Sequence, residues 1–167
     1  YGDMLRSKRL SEEEIINYSH LIVEEGKRLE SMSMKLLNLI VLKKQDFKMY
    51  KISAQTFFQG IEDTVDLLMK ENNIQFITEI EPGELHIEPD LMKTVCLNLL
   101  DNARKAIGKN GKISLKGTVA KTGYQFVIED NGCGMAIEEL GKIKEAFYMV
   151  DKSRSRSAGG AGLGLAL

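Results

Sequence analysis

Ile15, Ile22, Leu29 and Leu36 recur every seven residues, with Tyr18, Met32 and Leu39 three further on. That is the a/d spacing of a coiled coil or helical bundle. A single helix cannot bury such a stripe against itself, so residues 11 to about 45 are expected as one long helix that needs a partner. Ser11 ahead of Glu12, Glu13 and Glu14 supplies an N-cap, and acidic residues in a first turn suit the helix dipole. The seam is imperfect, because Glu25 falls on it and Gly26 lowers helix propensity. Residues 1–10 read as the end of a preceding helix and a basic turn, giving a helical hairpin that lacks most of its first arm.

Beyond Lys43-Lys44-Gln45-Asp46 the heptad stops and short elements alternate. A strand is expected over 48–52, followed by a helix capped by Ser53 and carrying Phe57, Phe58, Ile61, Val65, Leu68 and Met69 to Asn72-Asn73. Ile74, Phe76, Thr78 and Ile80 alternate as a strand, Pro82-Gly83 turns the chain, and Leu85 and Ile87 suggest a further strand. Pro89 opens a helix running to about Ala106, closed by Gly108, Asn110 and Gly111. Residues 112–119 and 124–129 form a hairpin, then come a glycine-bearing turn, a short helix over 136–146 and a Ser/Arg/Gly-rich stretch. The succession predicts an α+β domain with mostly antiparallel strands.

Composition narrows the function classes. Lys and Arg number 23 against 24 Asp and Glu, a net charge of −1 that gives no support to a nucleic-acid binder. Cys96 and Cys133 are too few and too separated for a disulfide scaffold or a Cys-rich zinc site, which fits a reducing, cytoplasmic compartment. No apolar run approaches the roughly 18 to 20 residues of a membrane span.

Three segments could carry chemistry. In Asn98-Leu99-Leu100-Asp101-Asn102-Ala103-Arg104-Lys105-Ala106, residues Asn98, Asn102 and Lys105 project from one helix face, with Val95, Leu99 and Ala103 expected as the buried stripe. Amide oxygens suit Mg²⁺, and a lysine can meet phosphates as a mobile charge. In Asp130-Asn131-Gly132-Cys133-Gly134-Met135, the carboxylate could accept a purine amino group while the glycines let backbone approach a ligand. Gly159-Gly160-Ala161-Gly162-Leu163-Gly164 could present N–H groups to phosphates, behind a basic run from Lys152 to Arg156 that could close as a lid. Taken singly, the three also fit a solvated helix face, an Asp-Asn-Gly turn and a linker. The usual phosphate-loop and dinucleotide fingerprints are absent.

Order and spacing join the three. Asn102 and Asp130 are 28 residues apart, and Asp130 and Gly162 are 32 apart. The succession resembles the N, G1 and G2 boxes of the ATP-binding fold shared by sensor histidine kinases, DNA gyrase, Hsp90 and MutL. Phe147-Tyr148 and Asp151-Lys152-Ser153-Arg154-Ser155 resemble the F box and lid of the histidine kinases in particular. Glu24-Glu25-Gly26-Lys27-Arg28-Leu29 with Leu36-Leu37-Asn38-Leu39 resembles the second helix of their dimerisation and phosphotransfer domain.

The resemblance implies a long helix of a dimeric bundle over 1–46, then a Bergerat-type α/β sandwich over 47–167, its mixed sheet packed on helices. It further implies that Asn102 ligates Mg²⁺ while Asn98 and Lys105 engage ATP phosphates. Asp130 would read the adenine amino group, with Gly132, Gly134, Met135 and Tyr148 shaping the pocket. Gly160, Gly162, Leu163 and Gly164 would hold phosphates through the backbone, assisted by Lys152 or Arg154. Phosphoryl would pass to a histidine and then to a response-regulator receiver domain. Neither His20, at an outer helix position, nor His86, in a strand, has the family's acceptor surroundings, so that histidine is expected upstream of Tyr1 and further strands beyond Leu167. A membrane anchor, where the whole protein has one, would lie outside this chain. An anti-sigma-type serine kinase and a non-catalytic nucleotide-sensing or dimerisation module are the alternatives.

Overall fold

The computed structural model describes residues 1–7, 9–42, 47–143, 145 and 148, without the side chains of 7, 35 and 38–42. A short helix α1 (Gly2–Ser7) leads to the long helix α2 (Glu12–Leu42). Ser11 and Glu14 cap α2 reciprocally: the Glu14 N–H donates to Ser11 Oγ at 3.3 Å, and the Ser11 N–H donates to Glu14 Oε2 at 2.9 Å. Tyr1 stacks on Tyr18 with ring centroids 5.8 Å apart. Tyr18 and Met32 are half-buried, whereas Ile15, Ile22, Leu29 and Leu36 are exposed, Leu29 to 63%. Four positions of the heptad stripe, Ile15, Ile22, Leu29 and Leu36, are thus uncovered within one chain.

The α/β part begins with β1 (Tyr50–Ser53) and α3 (Ala54–Glu71). Ser53 does stand at the N-cap, but its hydroxyl donates to Gln55 Oε1 and makes no cap bond to the helix. Strands β2 (Gln75–Ile80) and β3 (Glu84–Ile87) precede α4 (Pro89–Ile107), and β4 (Lys112–Ala120) and β5 (Gly123–Asp130) follow as a hairpin. One sheet has the order β2-β4-β5; β1 and β3 pair antiparallel in a second. Two of the three pairings are antiparallel as expected, but β2 runs parallel to β4, since the path between them goes through β3 and α4.

Helices α3 and α4 cover one face of the three-stranded sheet. From α3, Phe58 and Ile61 are buried against Ile113 and Leu115 of β4. Phe58 also meets Phe126 of β5, with ring centroids 5.9 Å apart. From α4 the buried side chains are Cys96, Leu100 and Ala103, not the Val95, Leu99 and Ala103 set expected from the sequence. The run Val95-Cys96-Leu97 and Leu99-Leu100 is apolar at too many positions to fix the helix phase, and the core selects Cys96 and Leu100. Leu68 on α3 is 40% exposed and sits outside the core.

The helix expected over 136–146 is reduced to a single 3₁₀ turn, Ile137–Glu139, among the described residues. Its apolar positions explain why: Ile137 is 81% and Leu140 50% exposed, so no described residue buries a face that could hold a longer helix.

Cys96 is fully buried, and that burial pushes its thiol up to about 11. Cys133 is exposed. Because the thiolate is the reactive form, a thiol reagent at pH 8 should modify one cysteine per folded chain, Cys133, and both after denaturation. Mass spectrometry after brief labelling reads the count, and rapid native modification of Cys96 would contradict this packing.

Candidate functional site

Helix α4 carries the first group of predicted residues. Glu88 caps it by accepting from the Leu91 N–H, and Pro89 occupies its first turn, where no backbone donor is lost. Once Cys96, Leu100 and Ala103 face the core, Asn98 and Asn102 are turned outward, Asn98 half-buried and Asn102 exposed. Neither side-chain amide bonds to a described residue, so both remain available to a ligand. An exposed amide oxygen fits one position of a Mg²⁺ shell otherwise filled by water and phosphate oxygens. Among the described residues no cluster of His, Cys, Asp or Glu could hold a metal by itself. Lys105 is half-buried and lies 2.7 Å from Asp101 Oδ2.

Asp101 was not among the residues singled out from the sequence. Its Oδ1 accepts from Arg104 Nη2 at 2.7 Å and Nε at 3.2 Å, while its Oδ2 takes Lys105. Burial pushes this carboxyl upward. Hydrogen bonds from Lys105 and Arg104, with their charges, outweigh it and hold the group below the ordinary carboxylate range. The spacing i, i+3, i+4 was the available signal.

The second group sits at the end of β5. The Gly132 N–H donates to Asp130 Oδ1 at 2.8 Å, which orients the carboxylate and leaves Oδ2 without a bond to any described residue. Asn131 ties the loop to β4: its Oδ1 accepts from the Lys112 N–H at 2.7 Å, and its own N–H donates to the Lys112 carbonyl at 3.2 Å. The Cys133 N–H donates to the Ala106 carbonyl at 3.2 Å, so the loop is bonded directly to the last turn of α4. Glycine is required there, since a Cβ on Gly132 would lie 2.7 Å from the Ala106 carbonyl carbon and 2.8 Å from its Cβ. Gly134 has φ +63°, a conformation that costs other residues. Met135 is 47% exposed just beyond it.

Tyr148 is half-buried, and its hydroxyl donates to the Glu139 carboxylate. The Lys142 ammonium stands 5.9 Å from its ring centroid. The bond to Glu139, then burial and the neighbouring carboxylates, raise the phenol above its ordinary value. Phe147, Lys152, Arg154, Arg156, Gly160, Gly162, Leu163 and Gly164 lie outside the described residues. The structure therefore docks the Asp130–Met135 segment on Ala106, the residue after Lys105, and does not bear on the third segment. His20 and His86 are both exposed, and His20 stands 4.0 Å from Glu24. A groove of about 260 Å³ crosses the opposite, open face of the sheet and reaches Asp130 and Asn131 at its end. Its walls are mostly charged side chains and include nothing from α4, which does not suit a purine.

Comparison with known proteins matches residues 87–167 to the family described as histidine kinase-, DNA gyrase B-, and HSP90-like ATPase. The signal transduction histidine-protein kinase ArlS of Staphylococcus aureus is 35% identical over 162 residues, covering 93% of this chain and 34% of ArlS. The phosphate regulon sensor protein PhoR of Haemophilus influenzae is 30% identical over 149 residues, covering 86% of this chain and 34% of PhoR. The chain thus spans about a third of the length of these curated relatives. Two solved structures share its fold at 22% identity. Full-length ShkA in complex with AMPPNP has a TM-score of 0.73, over 98% of this chain and 34% of that one. ThkA in complex with the response regulator protein TrrA has a TM-score of 0.72, over 89% and 45%.

The contact between loop and helix is testable by one atom pair. Gly132→Ala should cost about 1 to 3 kcal/mol, because backbone on both sides must move, and the Cys133–Ala106 bond should open. Urea unfolding and amide exchange at Cys133 measure the two effects; a variant as stable and as protected as the parent would refute the close approach.

Proposed function

We propose, from the premise that this chain belongs to the sensor histidine kinase family, that its α/β part binds Mg·ATP as the kinase core of a longer protein. The whole protein would transfer the γ-phosphoryl group to a histidine and then to an aspartate of a response-regulator receiver domain. The observation that carries this reading is the docking of the Asp130–Cys133 loop on the last turn of α4. It supports one site built from two segments 28 residues apart.

In that site Asn102 ligates Mg²⁺, which supplies charge neutralisation for the phosphates when bound. Asn98 and Lys105 engage the phosphates, Asp130 accepts from the adenine amino group, and Gly132, Gly134, Met135 and Tyr148 shape the pocket. By the same reading Gly160, Gly162, Leu163 and Gly164 would hold phosphates through backbone N–H groups, assisted by Lys152 or Arg154. Asn98 decides the reaction class, for an amide takes no proton near neutral pH and so supplies no base to activate water. Phosphoryl transfer to a protein acceptor is favoured over hydrolysis. ArlS and PhoR, named as a histidine kinase and a sensor protein, support this class, as does the TrrA-bound ThkA structure for a receiver-domain partner. The serine-kinase and non-catalytic readings have no observation of their own.

Residues 1–46 form the helical dimerisation part and 47–167 the ATP-binding part in this proposal. The exposed Ile15, Ile22, Leu29 and Leu36 support a homodimer, in which a second copy's helices cover the stripe.

Calorimetric titration with Mg·ATP tests the site. Asn102→Ala and Asp130→Ala should each weaken binding about tenfold, as expected for losing one bond to a charged group. Asn102→Ala should do so only with Mg²⁺ present, and Asp130→Ala should erase preference over Mg·GTP. Unchanged affinity in both variants would sink the assignment. Sedimentation tests the dimer: Ile22→Asp with Leu29→Asp should give a monomer that still binds Mg·ATP, and a persisting dimer would refute the stripe as its interface.

A further inference from the structure

Helix α4 places a carboxylate where a triphosphate site would least want one. Residues four apart on a helix lie about 40° apart around its axis, and residues three apart about 60°. Asp101 therefore flanks the face formed by Asn98, Asn102 and Lys105, immediately beside Lys105. Left unpaired there, its charge would repel phosphates. It is not left unpaired. Oδ1 accepts two bonds from Arg104 and Oδ2 takes Lys105, so the two oxygens are divided between two cations.

That division differs from ordinary helix-surface pairing. Lys70–Asp66 on α3 and Lys116–Glu79 across β4 and β2 each join one cation to one carboxylate. Asp101, Arg104 and Lys105 have side chains only 41%, 23% and 26% exposed, against 71% for Lys70, so solvent screens their interactions less. The two cations also differ in kind. Arg104 grips through two nitrogens in a fixed fork, whereas Lys105 is a single point charge on a flexible stem that can leave without disturbing that grip.

We propose that Asp101 is a positioning residue for Lys105. It holds the ammonium while the site is empty and yields it to the phosphates of an arriving nucleotide, and Arg104 stays behind as the standing counter-ion of the carboxylate. This rests on the nucleotide-site reading above and adds a regulation of that site. Binding then includes an exchange of Lys105 from one carboxylate to a polyanion. A ligand with several phosphate charges drives the exchange, and a nucleoside without phosphates cannot. Asp101 thus offsets part of what the phosphates gain from Lys105 and keeps the lysine from resting against other anions.

Calorimetry on the whole chain tests the exchange, with Mg·ATP and adenosine as ligands and four proteins: parent, Asp101→Asn, Lys105→Met and the double variant. Asp101→Asn, nearly the same shape, should bind Mg·ATP several-fold more tightly and adenosine unchanged. In the Lys105→Met background the same substitution should change neither. Arg104→Gln should weaken Mg·ATP binding several-fold, again only while Lys105 is present. An equal gain from Asp101→Asn with and without Lys105 would reduce Asp101 to a general field effect and overturn the proposal. No gain, or a loss shared by adenosine, would make it a structural residue and overturn it equally. Lys105→Met with undiminished Mg·ATP affinity would remove the site assignment beneath it, an outcome distinct from Lys105 mattering without coupling to Asp101.

Discussion

The site depends on backbone-to-backbone contact between a loop and a helix end. Gly132 lies so close to Ala106 that no side chain fits between them, and the Cys133 N–H satisfies the Ala106 carbonyl, which the end of α4 would otherwise leave unpaired. Helix termini must find partners for such groups, and here the partner is the loop that carries Asp130. That hydrogen bond therefore helps close the helix and registers the acidic end of β5 against the last turn of α4. Asn131 performs the complementary task toward β4, so that the loop is held on two sides while Asp130 Oδ2 bonds to no described residue.

The core makes that registration possible. Cys96, Leu100 and Ala103 fix the rotation of α4 about its axis, and Phe58, Ile113 and Leu115 fix its distance from the sheet. Asn98 and Asn102 point outward only because those three point inward. Hydrophobic burial on one side of a helix is in this way the positioning device for polar chemistry on the other.

Much of this was legible in the sequence, for physical reasons that can be located. The i, i+4, i+7 spacing of Asn98, Asn102 and Lys105 needs only helical geometry, and Pro89 and Gly108 mark that helix's ends plainly. Strand positions followed from alternation and turns, as in the hairpin of β4 and β5. What failed depended on tertiary context. The phase of α4 cannot be read from the sequence because five apolar residues crowd positions 95–100, and only the sheet beneath selects among them. Parallel pairing of β2 with β4 is a property of the crossover, not of either strand. The helix at 136–146 needs a buried face that Ile137 and Leu140 do not have. A lone aspartate beside two basic residues is common on helices, so Asp101 does not stand out in the sequence; its meaning comes from the half-burial that only packing confers.

The two parts of the chain solve the burial problem differently. The α/β part encloses Phe58, Ile61, Leu100, Ile113 and Leu115 within itself, whereas α2 leaves Ile15, Ile22, Leu29 and Leu36 in water. An apolar stripe of that length is tolerated when another surface covers it. Charge follows the same division between local and total. A sum of −1 conceals a triad in which one carboxylate is held by two cations, leaving one positive charge more than it neutralises. A polyanion meeting that face encounters an ammonium already ordered and an aspartate already answered by Arg104. On the proposed reading, the electrostatic cost of admitting phosphates would be met by rearranging a single lysine, which neutral overall composition cannot disclose.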